Sequence, residues 1–95
     1  MTYYTRVQIL EILHVEEGFL VALEEEEIIT QDAPEVDEAH YSDQMLERAR
    51  VAANLMHDLD VNLPGVAIIL RMREAMSKQR RRIDSFVLEL SRKEG

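Results

Sequence analysis

The stretch "VNLPGVAIILRMREAM", residues 61 to 76, decides how the chain folds, because it separates one helix from a much longer one. Proline has no backbone N–H, so Pro64 fits the first turn of a helix, where that donor has no acceptor within the helix. Beyond it, apolar residues recur every three or four positions. The sequence therefore predicts a fourth helix that starts here and continues to about Arg92.

The predicted fourth helix has a heptad seam, in which the spacing of apolar residues alternates between three and four over about three repeats. At 1.5 Å per residue this helix is about 44 Å long, whereas a globule of this size has a radius of gyration of about 12 Å. Its distal end must project, and the same helix of a second protomer covers the seam most economically. The predicted dimerisation residues are Ile69, Met72, Met76, Gln79, Ile83, Phe86 and Leu90.

Upstream of this helix, the N-terminal pattern predicts two short helices. Thr5 and Gln8 have the spacing of a capping box, which starts the first helix. A turn at His14 and Val15 separates it from the second, and two short helices joined by a tight turn form a helix-turn-helix. The apolar sides are predicted to contain Val7, Ile9, Leu10, Ile12 and Leu13 in the first helix, and Phe19, Leu20 and Leu23 in the second.

The middle of the chain predicts a small hairpin, or wing, followed by a third helix. The β-favouring triplet Ile28, Ile29 and Thr30 and the later Ala39, His40 and Tyr41 are the expected strands. Ser42 and Asp43 cap the third helix, which extends to about Leu59 with an inner stripe of Leu46, Ala49, Ala53, Met56 and Leu59. We predict a winged helix-turn-helix domain over residues 1 to 62 and a coiled-coil dimerisation helix over residues 63 to 95.

Charge divides the chain into two opposite halves. The net charge is -8, with thirteen carboxylates and the single cation Arg6 in residues 1 to 47, against ten cations and six carboxylates in residues 48 to 95. Within the acidic half, carboxylates are densest in "LVALEEEEIITQDAPEVDEAH", residues 20 to 40. Such asymmetry indicates either an acidic binding face or two halves that attract one another within or between chains.

Residue types that support catalysis or cofactor binding are missing or scattered. The chain has no Cys, its three His residues lack metal-ligand spacing, and no glycine-rich phosphate loop or nucleophile motif occurs. We therefore predict neither an enzyme nor a bound metal or cofactor. The N-terminus has no signal-peptide pattern and no apolar run is long enough to span a membrane, so a cytoplasmic location is expected.

Several motifs together resemble a known superfamily. These are Tyr4-Thr5 before the first helix, Tyr41-Ser42-Asp43 after the wing, the helix "LERARVAANLMHDL", and the opening stretch followed by a heptad helix. This order is similar to the MerR-type winged helix-turn-helix: mainly α, with a small β wing and a long C-terminal dimerisation helix. Residues 62 to 71 resemble the chaperone-modulator CbpM group and its sister branch, the HspR-like repressors.

The two branches imply different partners. MerR and HspR proteins are dimeric DNA-binding transcriptional regulators. CbpM-like proteins bind the J domain of the co-chaperone CbpA and restrain both its stimulation of the chaperone that it assists and its DNA binding. A third interpretation is a purely structural dimerisation module.

Acidic residues stand where DNA-binding relatives have Arg or Lys, which neutralise phosphates. We therefore expect a CbpA-type J-domain co-chaperone as partner, with DNA binding unlikely. The predicted partner-binding residues are Glu16, Glu17, Glu24, Glu25 and Glu27. The basic cluster "SKQRRRID", residues 77 to 84, is interpreted as a solvated helix side, with Arg80 and Arg82 flanking the seam. The functional alternatives are pairing with the acidic half of another chain, which is preferred, and direct contact with nucleic acid.

Overall fold

The structure is a computed structural model that describes residues 2 to 32 and 40 to 94. Within these residues four helices and a two-stranded sheet follow in the order β1 (Tyr3–Thr5), α1 (Arg6–Leu13), α2 (Glu17–Glu25), β2 (His40–Ser42), α3 (Asp43–Asp58) and α4 (Leu63–Glu94). The mainly helical fold with a small sheet and a long C-terminal helix confirms the predicted fold class.

The capping box that begins α1 forms as the sequence predicts. The Thr5 hydroxyl accepts a hydrogen bond from the Gln8 backbone N–H at 3.2 Å, and the Gln8 side chain accepts one from the Thr5 N–H at 2.9 Å. At the other end, His14 adopts a left-handed conformation with φ 55. That residue ends α1, so α2 can begin at Glu17 and complete the helix-turn-helix.

One predicted strand is wrong: Ile28, Ile29 and Thr30 do not form a strand, and β2 pairs instead with the N-terminal β1. The reason lies at the end of α2, where the Ile28 N–H donates to the Leu23 carbonyl at 2.8 Å. This bond turns the chain so that both isoleucines enter the core. The tip of the predicted wing, residues 33 to 39, lies outside the described residues.

The small sheet lies beside α1. Its strands are antiparallel, with Tyr4 opposite Tyr41. Asp32 supports β2 from outside the ladder: its N–H donates to the His40 carbonyl at 2.9 Å, and its carboxylate accepts from the Ser42 N–H at 2.8 Å. Asp32 is therefore anchored to β2 although it is not part of a strand.

A single core joins all the helices. Its buried residues come from every helix, from β2 and from the segment after α2; they are Ile9, Leu20, Leu23, Ile28, Ile29, Tyr41, Leu46, Ala49, Ala52, Val66 and Leu70. Two of these, Val66 and Leu70, belong to α4, so the first turns of the long helix pack with the globular part.

Three residues predicted on apolar sides are exposed instead. Val7 is 62% exposed because it lies two residues before the buried Ile9 and so points about 200° around the helix from it. Ile12, 43% exposed, lies at the edge of the buried side. Leu59 is 68% exposed, since α3 ends before it and its side chain no longer follows the helical stripe.

The start of α4 depends on specific residues in and just before its first turn. The Asn62 side chain accepts a hydrogen bond from the Gly65 N–H at 2.9 Å and so caps the helix. A Cβ on Gly65 would lie 2.8 Å from the Val61 side chain and 3.0 Å from the Asn62 amide oxygen. Glycine is therefore needed here for close packing, and Pro64 occupies the first turn as predicted.

Beyond its first two turns, α4 projects from the core. Every residue from 71 to 92 is exposed. The radius of gyration is 16.9 Å, against about 12 Å for a compact chain of this length. Within the described residues, none of the helices combines the length and apolar character that a membrane span requires.

Candidate functional site

The surface of the helix-turn-helix is acidic. Glu16, Glu17, Glu25 and Glu27 are exposed, and Glu24 is partly buried. On the outward side of α2, Glu17, Gly18, Val21 and Glu25 are the exposed residues, and none of them is a cation. The five predicted partner-binding residues therefore lie on α2 or within two residues of its ends, and four of them are exposed.

Arg6 fixes two of these carboxylates. Its guanidinium donates to Glu17 at 2.9 Å through Nε, to Glu24 through Nη1, and to the Tyr41 hydroxyl at 2.7 Å. Burial alone would lower the pKa of Arg6, but its hydrogen bonds to Glu17 and Glu24 outweigh that effect and raise the pKa above its ordinary value. Arg6 is the only Lys or Arg in residues 1 to 47, and its charge is neutralised within the chain.

Tyr41 is the buried end of this arrangement. Burial raises the pKa of its hydroxyl, and the negative charge of Glu24 raises it further, while the hydroxyl oxygen accepts the Arg6 hydrogen bond. The result is a rigid connection from α2 through the first residue of α1 to β2. Glu17 and Glu24 therefore have a structural role within the acidic surface.

Glu25, Glu26 and Glu27 differ from that pair, because none of them forms an ion pair with a cation of the described residues. We call these three residues the acidic run. All three are exposed, as expected for consecutive residues at a helix end. Together with Glu16 they are the carboxylates of this surface that remain available to a partner.

The acidic run occupies an unfavourable place for its residue type. The Glu27 N–H donates to the Glu24 carbonyl at 3.0 Å and the Ile28 N–H to the Leu23 carbonyl at 2.8 Å, the bond pattern of a Schellman motif. The left-handed position of that motif favours glycine, yet it holds Glu27 with φ 57. Negative charge also opposes the dipole at a helix C-terminus.

Arg48 connects the acidic surface to the long helix. Its Nε donates to the Ile28 carbonyl at 2.5 Å, and its guanidinium pairs with Glu74 of α4. Burial lowers the pKa of Arg48, although an arginine remains charged. Through these contacts Arg48 ties the end of α2 to both α3 and α4.

The seven predicted dimerisation residues lie on one exposed side of α4. Leu70 is buried and the adjacent Ile69 points about 100° away from it, so the seam faces away from the core of its own chain. Exposure is 58% at Met72, 69% at Met76, 56% at Ile83, 61% at Phe86 and 46% at Leu90, and Gln79 is exposed among them. An apolar stripe of this length is unfavourable in water unless another apolar surface packs against it.

Two histidines come close at the start of α2 without forming a metal site. His14 and His57 line a shallow recess with Val15, Glu16 and Phe19. Across residues 2 to 32 and 40 to 94, no three His, Asp or Glu side chains are placed to hold a metal ion.

Sequence reasoning did not identify Arg6, Tyr41 or Arg48 as parts of this surface. A signal existed for Arg6, since a lone cation among thirteen carboxylates is the natural counter-ion for whichever of them lies nearest. Arg48 had no such signal, because its acceptors include a backbone carbonyl whose position depends on the turn after α2.

Comparison with known proteins agrees with this architecture. No curated protein gives a significant sequence match to the chain. A family profile described as MerR HTH family regulatory protein matches residues 4 to 87, from β1 almost to the end of α4. Since that match includes the helix-turn-helix, nearly all of the small sheet and most of the long helix, the chain belongs to the MerR HTH family of regulatory proteins.

Proposed function

We propose that this chain is a dimeric adaptor that regulates another protein by binding a basic surface on it. The proposed partner is the J domain of a CbpA-type co-chaperone, whose activity the adaptor inhibits in the cytoplasm. The observation that supports this most is that Arg6, the cation paired with the carboxylates of α2, is already neutralised by two of them. A surface of this kind repels phosphates and attracts cations.

Two arguments support the J domain as the partner: a resemblance in sequence and a complementary charge. Residues 62 to 71 resemble the chaperone-modulator group, and J domains have a basic second helix with which they engage their chaperone. An acidic face that covers this helix would block that engagement. Charge complementarity of this type raises the association rate and contributes specificity.

Dimerisation through α4 is part of the same proposal. The exposed seam is too long to remain uncovered, and a second copy supplies an identical apolar stripe. A dimer would present two acidic surfaces, and both could bind at once if the partner were itself dimeric.

The decisive experiment measures binding of a CbpA-type J domain to three forms of the full chain. E25Q/E26Q/E27Q removes the acidic run and leaves Glu17 and Glu24 in place, so that Arg6 is not released. The control E11Q/D58N/D60N makes the same change in net charge at exposed carboxylates elsewhere. We expect the first variant to associate more slowly than the control and with a flatter dependence on salt.

Equal association rates for the two variants across a salt series would exclude the acidic run from the partner site. A failure of the unaltered chain to bind any CbpA-type J domain would exclude the proposed partner itself. Circular dichroism of all three forms establishes that they share one fold.

The alternative function is a DNA-binding transcriptional regulator of the MerR or HspR type, and the family match itself favours it. Fluorescence anisotropy with random and promoter duplexes at physiological salt distinguishes the two. The adaptor proposal expects negligible binding. Submicromolar binding that is lost on changing exposed residues of α2, such as Val21, would establish the regulator instead.

A further inference from the structure

Two oppositely charged segments of the described chain remain unpaired. One is the acidic run. The other consists of Arg80, Arg81 and Arg82 of α4, which we call the basic segment. The ion pairs within the described residues involve Arg6, Arg48 and Arg50, so neither segment finds its counter-charge in that part of its own chain.

Their separation within one chain follows from the fold. The acidic run is held against the core, because Ile28 immediately after it is buried and bonded to the end of α2. The basic segment begins ten residues beyond Leu70, the last buried residue of α4, which is about 15 Å further along a projecting helix. Pairing of the acidic run with the basic segment therefore requires two chains.

The basic segment stays accessible when the seam is covered. Consecutive residues of a helix differ by 100°, so these three arginines span about 200° of the circumference. The seam at this height is formed by the neighbouring Gln79 and Ile83. Arg81 lies on the side opposite the seam, and the other two flank it.

We propose that the acidic run of one chain pairs with the basic segment of a second copy. Three carboxylates and three guanidiniums match in number, and all six side chains are exposed. Exposed ion pairs are individually weak, but three together strengthen association by on the order of tenfold. The contact lies outside the apolar seam and adds to it.

In this pairing a second copy of the chain covers the acidic run of the first. A basic partner protein must displace the arginines of the second copy to reach the acidic run, so self-association and partner binding compete for the same carboxylates. The pairing depends only on the charges of this chain and does not require the proposed J-domain partner.

The test compares variants of equal net charge, because each chain carries -8 and salt screens this overall repulsion as well as the local attraction. In sedimentation equilibrium without any partner, E25Q/E26Q/E27Q should associate about tenfold more weakly than the control E11Q/D58N/D60N. Likewise, R80Q/R81Q/R82Q should associate more weakly than the control R71Q/R73Q/R92Q. Combining the acidic-run and basic-segment variants should cause no further loss, since either alone removes the contact.

Equal association of each variant with its matched control overturns the pairing, as does simple addition of the two effects. If the seam makes self-association too tight to measure, cross-linking decides the question. R82K chains, mixed in ¹⁴N and ¹⁵N forms, are coupled with a carbodiimide that joins lysine to carboxylate. Peptides of mixed isotope joining residue 82 to the acidic run support the pairing, and their absence overturns it.

The experiment also separates this pairing from the proposed function. If E25Q/E26Q/E27Q loses J-domain binding but self-associates like its control, the pairing between copies is wrong and the partner site stands. If it self-associates weakly and binds the J domain normally, the partner site is wrong and the pairing stands.

Discussion

Replacing Glu27 with glycine should stabilise the protein, although it removes a charged side chain from the candidate binding surface. Glu27 occupies the left-handed position after α2 with φ 57, and no ion pair within the described residues compensates it. Glycine adopts this conformation without the steric conflict that an L side chain meets. The two backbone hydrogen bonds of the motif use main-chain atoms and would be unchanged.

The expected gain can be estimated from three contributions. Relief of the left-handed conformation stabilises the fold by roughly 1–2 kcal/mol. The greater freedom of glycine in the unfolded chain offsets about 0.4–1 kcal/mol of this. Removing a negative charge from a helix C-terminus adds about 0.3–1 kcal/mol. The net gain is about 1 kcal/mol, which raises the midpoint of thermal unfolding by about 4–8 °C for a domain of this size.

Urea unfolding followed by far-UV circular dichroism measures the effect. All variants must be compared at one protein concentration, because the stability of a dimer depends on concentration. Glu27→Gln is the matched control, since it removes the charge and keeps the side chain in the left-handed conformation. If Glu27→Gln were as stable as Glu27→Gly, the backbone argument would be refuted and charge alone would explain the gain.

Three further predictions follow from the fold. Ile83→Arg places a charge in the exposed seam and should convert dimers to monomers in light scattering at micromolar concentration; a monomeric unaltered chain would contradict the seam. Gly65→Ala should destabilise by about 1–3 kcal/mol in urea unfolding despite the better helix propensity of alanine, because its Cβ would lie 2.8 Å from Val61; a gain in stability would show that Val61 moves freely. Arg6→Met should cost about 1–3 kcal/mol by leaving the partly buried Glu24 without its partner, and full stability would mean that solvent replaces Arg6.

Helix boundaries were predictable where they depend on local chemistry. The capping box at Thr5 and the Ser42 cap involve side chains that bond within one turn of their own position, and the fixed backbone angle of Pro64 suits the first turn of a helix, so the local sequence identifies all three. The heptad period likewise identified the exposed side of α4. These features require no knowledge of where the rest of the chain lies.

Features that depend on distant contacts were not predictable. Ile28 and Ile29 have β-forming side chains, but the Schellman motif directs them into the core, and the strand propensity is overridden. The actual partner of β2 is the N-terminal strand, more than thirty residues earlier in the sequence. The contact from Arg6 to Tyr41 depends on that pairing, which is why sequence reasoning missed it.

The roles of the acidic residues also depend on distant contacts. In sequence they form one group, but the fold divides them: Glu17 and Glu24 neutralise Arg6, whereas the acidic run has no counter-ion within the described residues. The first pair is explained by stability alone. The acidic run is not, because it weakens the helix end on which it lies. A fold needs no such residues, whereas a surface that binds cations does, and this is the reason to propose that the acidic run pairs with the cations of a second copy or of a partner protein.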